Sequence, residues 1–192
     1  HTELENIQVT AVHEFFHAVQ FGYNCYEKIW FMEASATWSE DELYDDVNDF
    51  YRYIPDFFEQ PGIAIDTEGG FRMYGTCIFF QYIDEHLGGL ETIRKCWERS
   101  RYNASPTQDI SFLSIDEALK SQNSSFVDAY NRMRIANRIL SSSPNAGIYR
   151  YEEADDYPVD QPTVKENIIY SQHDFETITN PALNLYASHY YE

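Results

Sequence analysis

Basic side chains are scarce in this chain: 13 Lys and Arg stand against 32 Asp and Glu over 192 residues, a formal net charge of −19. A field of that sign repels phosphate backbones and anionic bilayers, so neither nucleic acid nor a membrane surface is an expected partner. Long apolar runs are missing as well. The best stretch, "GTCIFFQYI" (75–83), falls far short of the ~18 residues a membrane span needs. No signal-peptide pattern is present, although the chain begins at His1 and an export signal could precede it. Cysteine is rare: Cys25, Cys77 and Cys96 form no C-x-x-C spacing, allow one disulfide at most, and are expected to be buried thiols.

What is abundant is aromatic. Sixteen Tyr, 13 Phe and three Trp make an aromatic share of 17%, and hydrophobic residues reach 43%, which excludes a disordered chain and predicts a core of large rings. The length suits one domain with a sizeable core.

Periodicity predicts a mainly α (α+β) chain. Residues 5–21 read as a helix, apolar nearly all round and hence buried, with Gly22 as its stop. "WFMEASATWSEDEL" (30–43) is a second helix, and "VNDFYRYIPDFFEQPG" (47–62) a short aromatic one interrupted near Pro55. "MYGTCIFFQYIDEHLGG" (73–89) reads as one buried helix and 89–100 as an amphipathic one. A polar loop follows over 101–113, then a helix capped by Ser114 with Glu117 in a capping-box pattern, and a last strong helix over 125–140. Composition changes at "SSSPNAG" (141–147). Beyond it "GIYRYEE", "TVKENIIYS" and "ALNLYASHYYE" read as short strands and loops. The division is thus a helical part, 1–140, and an irregular or β extension, 141–192, with both ends expected to continue into a longer protein.

The chemistry lies in "VTAVHEFFHAVQFGYN" (9–24). On a helix, His13 and His17 at i and i+4 share a face and can offer nitrogens to one ion, while Glu14 lies about 100° further round. This is H-E-x-x-H, whose mechanics are a zinc-bound water with the glutamate as general base. The plainer alternative is a pair of core histidines bonded to carboxylates or backbone. A third ligand separates the two readings, since catalytic zinc takes three protein ligands and keeps one position for water. Fifteen residues, 18–32, separate His17 from Glu33, which sits among aromatic and small residues in "WFMEASATW". A buried glutamate needs a partner, and Zn²⁺ held by His13 and His17 is one. Small Ala34, Ser35 and Ala36 would let the two helices approach closely.

"HEFFHAVQFGYN" and "WFMEASATWSEDELYDDVNDF" together resemble the gluzincin zinc metallopeptidases, in which H-E-x-x-H is completed by a Glu on the next helix. More narrowly the chain is similar to a group of secreted bacterial and archaeal metalloproteases. That likeness is strongest over 9–60 and weak after 140. It implies a zincin-like helical subdomain, with His13, His17 and Glu33 as zinc ligands, Glu14 as base, a peptide or protein substrate, and a secreted or cell-surface location. It also implies Tyr74 as the group that stabilises the oxyanion, with neighbouring Arg72 as the alternative and a plain core or rim aromatic as the competing role for Tyr74. Gluzincins bind peptide along an edge strand before the zinc helix; only a dozen residues precede His13 here, so that wall is expected from further polypeptide or an assembly partner. The competing function is non-enzymatic: a domain of an extracellular assembly keeping a structural or idle zinc. Glu14, which such a site does not need, favours catalysis.

For support behind the ligands, Glu40 and Asp41 are candidates to accept from histidine N–H groups. Asp41, Glu42, Asp45, Asp46 and Asp49 could hold Ca²⁺ through oxygens, though such a run is more often a solvated face. His86 and His173 are given no role.

Overall fold

The computed structural model describes residues 1–143, 145–166 and 183–191. Its architecture is mainly helical, with two short strands. Helix α1 (Glu3–Tyr23) opens on a capping box: the Thr2 hydroxyl accepts from the Glu5 N–H (3.2 Å) and the Glu5 carboxylate accepts from the Thr2 N–H (2.6 Å), satisfying two donors that a helix start leaves orphaned. The helix runs through Gly22 and stops at Asn24, whose buried side chain donates to Ser100 Oγ (2.9 Å). A tertiary anchor, rather than the glycine, ends it. Nor is α1 buried: Leu4, Ile7, Phe15 (70% exposed) and Phe21 face outward, while His13, Phe16, His17 and Gln20 turn inward. Apolar content was a poor guide because α1 packs chiefly against α2 and, more lightly, α6, which leaves these apolar side chains in solvent.

Helix α2 (Ile29–Leu43) is the centre of the molecule, packed by α1 on one side. Ala34 and Ala36 are fully buried, and such small side chains let helix backbones come close. A 3-10 turn (Asp49–Arg52) leads into α3 (Ile54–Glu59). Pro55 begins that helix rather than breaking it, since a first-turn residue has no intrahelical N–H bond to lose. The single helix expected over 73–89 is two, α4 (Arg72–Gly75) and α5 (Cys77–His86), both against α2. Helix α6 (Gly89–Asn103) outruns its expected end, and α7 (Ser111–Leu119) starts three residues before Ser114, which is buried inside it instead of capping it. Asp109 Oδ1 there accepts from the Ser111 N–H (3.0 Å). Helix α8 (Phe126–Ile139) lies where a last helix was expected and is capped by Ser125, whose hydroxyl accepts from the Asp128 N–H (3.1 Å).

After α8 the chain forms a 3-10 turn (Gly147–Tyr149) where a strand was expected, and two strands, β1 (Val164–Glu166) and β2 (Tyr190–Tyr191), paired in parallel. The rest of the expected strand "TVKENIIYS", from 167 on, and His173 lie outside the described residues. Tyr151, Ala154 and Tyr157 join the same core as the helices. That core is a stack of rings: Phe31 lies between Trp97 (centroids 4.5 Å apart, planes 15°) and Phe80 (5.6 Å, 6°), offset contacts that add to the burial of large apolar area. All three cysteines are free thiols; Cys77 and Cys96 are buried, but Cys25 is exposed in the turn after α1.

Candidate metal centre

Helix α1 presents His13 and His17 one turn apart to the first half of α2, where Glu33 points back between them. His13 Nε2 lies 3.0 Å from Glu33 Oε2 and 3.0 Å from His17 Nε2, and His17 Nε2 lies 3.6 Å from Glu33 Oε2. Ligand atoms arranged tetrahedrally at 2.0–2.2 Å from one ion stand about 3.3–3.6 Å apart, and the observed triangle is near that size. The Glu33 side chain is only 18% exposed.

The far side of each ring explains which lone pairs are free. His13 Nδ1 donates to Glu40 Oε1 (2.6 Å), and His17 Nδ1 donates to Gln20 Oε1 (2.7 Å). The Gln20 amide cannot turn round, because its nitrogen donates to Met32 O (2.9 Å) and Ser35 Oγ (3.1 Å). With both Nδ1 atoms protonated, neutral rings direct two bare Nε2 lone pairs and one carboxylate at a single point. Such a cluster demands a cation, a proton at the least. Burial opposes charge on His13, but its hydrogen bonds with Glu33 and Glu40 outweigh that and raise it to about 9. Burial likewise works against the Glu33 carboxylate, yet the two histidines bring it down to about 2. Glu40 is pushed up by burial, with His13 opposing.

On the His13 side of the triangle opens a cavity of about 180 Å³, lined by His13, Glu14, Glu40, Asp49, Tyr53 and Tyr74. Glu14 is exposed there, one position round α1 from the inward histidines. The Tyr74 ring stacks on Tyr53 (4.9 Å, 26°) and lies 6.0 Å from the His13 ring. Its hydroxyl is raised by burial and then by the Glu33 and Glu14 charges. Arg72 does not line this cavity. Its guanidinium is buried over the Phe57 ring (4.1 Å) and donates to the carbonyls of Phe57 (3.1 Å) and Ile63 (2.6 Å), so of the two expected alternatives Tyr74 alone borders His13.

The acidic run divides. Asp41 and Asp45 turn away from the histidines toward Glu153, whereas Asp49 is buried on the other side, paired with Arg52 (3.0 Å). Asp41 accepts from Gln81 (2.6 Å) and supports no histidine. His86 is bonded to Arg150 O (2.6 Å). Gln20 is the supporting residue that charge-based reasoning passed over. The signal was its place three residues after His17, on the same helical face. Comparison with protein-family models, with curated proteins and with solved structures finds no match for this chain.

Proposed function

We propose that this chain is the zinc-binding, catalytic helical part of a gluzincin-like metallopeptidase with a zincin-like subdomain. What carries the reading is the triangle of His13 Nε2, His17 Nε2 and Glu33 Oε2, with both Nδ1 protons committed elsewhere. Two nitrogens and one carboxylate oxygen match a catalytic donor set better than a structural one, which is usually closed by four ligands. Zn²⁺ bound there would polarise a peptide carbonyl and bring the pKa of a water towards neutrality.

The chain's own groups divide the remaining work. Glu14, exposed in the same cavity, accepts the proton of the attacking water and returns it to the leaving amine. The Tyr74 hydroxyl, kept protonated by burial and adjacent carboxylates, donates to the oxyanion. Glu40 and Gln20 hold the two rings in the required tautomer. The substrate is a peptide or protein, supplied to a secreted or surface-exposed enzyme. No helix among the described residues is long and apolar enough to cross a membrane.

Metal analysis of the purified chain should find about one zinc per molecule. Glu14→Gln should abolish cleavage of a casein-like substrate and leave that zinc in place. A folded protein that takes up no zinc rejects the centre itself; unchanged proteolysis in Glu14→Gln rejects the mechanism.

A further inference from the structure

Away from the histidines, at the C-terminal end of α2, a second cavity of about 230 Å³ opens. Seven carboxyl side chains line it, from the α2 end (Asp41, Glu42, Asp45), the α5 end (Asp84, Glu85) and the segment after α8 (Glu152, Glu153), and no Lys or Arg does. Carboxylates this crowded repel one another, and an acidic protein could simply leave them in water. Two details argue otherwise. Asp41 Oδ1 is shut off from solvent and finds no hydrogen-bond donor among the described residues, although Oδ2 takes Gln81. Tyr157, only 7% exposed, lines the same cavity, and its hydroxyl makes no hydrogen bond among the described residues despite the carboxylates beside it. Buried tyrosine hydroxyls usually find a partner. Here the partner is expected in the cavity.

We propose that Asp41, Asp45 and Glu153 form a Ca²⁺ site, with the Tyr157 hydroxyl facing the ion or one of its waters. One oxygen from each of the three carboxylates lies within 4.8 Å of the other two. Calcium takes 6–8 oxygens at about 2.3–2.6 Å in flexible geometry, and the crowded carboxylates of this cavity can supply that many. The smaller Mg²⁺ demands a strict octahedron at about 2.0–2.1 Å and keeps several of its waters, so it makes less use of so many carboxylates. All donors in the cavity are hard oxygens, which disfavours zinc. The ion would join α2, the helix carrying Glu33 and Glu40, to Glu153, more than a hundred residues away in sequence and adjacent to the core tyrosines.

The full chain, stripped of metal with EDTA and exchanged into calcium-free buffer, should bind Tb³⁺ with luminescence sensitised by the neighbouring tyrosines. Ca²⁺ should displace it and raise the melting temperature, and equal Mg²⁺ should do neither. Asp45→Asn combined with Glu153→Gln should keep the circular-dichroism spectrum and weaken Ca²⁺ binding by about tenfold or more, since affinity follows ligand charge. His13→Ala, which damages only the other centre, should leave Ca²⁺ binding unchanged. The proposal is overturned if the wild-type chain shows no saturable Ca²⁺ response, the outcome of a cavity satisfied by protons alone. Undiminished affinity in the double variant, or loss of binding in His13→Ala, overturns it equally.

Discussion

Glu40 stands outside the triangle of His13, His17 and Glu33 proposed to hold zinc, yet it bears on that triangle. Its Oε1 takes the Nδ1 proton of His13 at 2.6 Å, which leaves Nε2 as the free lone pair and increases the ring's basicity. Gln20 does the same for His17 but is neutral, so the two histidines differ in donor strength. Glu40→Gln keeps the shape and can still accept one hydrogen bond, but removes the charge. Zinc affinity in that variant should fall by about 10–100-fold with the fold intact. Competition against a chelating dye reads this directly, and wild-type affinity would mean the His13–Glu40 contact has no hold on the ligand.

At the scale of elements, the junction between α4 and α5 sets where Tyr74 stands. A Cβ on Gly75 would lie 2.6 Å from Tyr53 O and 3.3 Å from Phe57 Cβ, so α4 can approach Tyr53 this closely only with glycine. That approach is what allows the Tyr74 ring to stack on Tyr53 at the cavity wall. The obstacle is backbone, which has little room to give way, so Gly75→Ala should cost about 1–3 kcal/mol. The midpoint of urea unfolding measures it. A variant as stable as the wild type would show that α4 can ride away from Tyr53 without loss.

For the whole molecule, the formal charge of −19 matters most where carboxylates are buried together. Burial, reinforced by neighbouring acids, holds Glu85 near about 8 and Asp41 near about 7, against about 4 for such groups in an unfolded chain. Between those limits the folded state binds more protons than the unfolded state, so stability falls as pH rises. In EDTA the melting temperature should therefore drop from about pH 5 to about pH 8, and Glu85→Gln should flatten the slope. A melting temperature that rises over this range would contradict the assignment of these protons.

The pattern H-E-x-x-H and a glutamate among apolar neighbours were legible without any coordinates, because helical periodicity alone puts His13 and His17 on one face and an enclosed carboxylate at Glu33 needs a cation. The mainly helical class followed from the same periodicity, as did the last helix before the change of composition. Local pattern could not show that α1 keeps one side open, that Thr76 divides a long apolar run, or that Ser114 lies inside a helix. Those outcomes depend on which neighbours arrive from elsewhere in the chain. The choice between Tyr74 and Arg72 beside His13 is of that kind, since carbonyls from α3 and the loop after it capture the guanidinium. So is the meeting of Asp41 and Asp45 with Glu153. Sequence determined which side chains could act as ligands, because donor chemistry and helical phase are local. Tertiary structure decided which of them meet, because convergence from distant segments is set by packing.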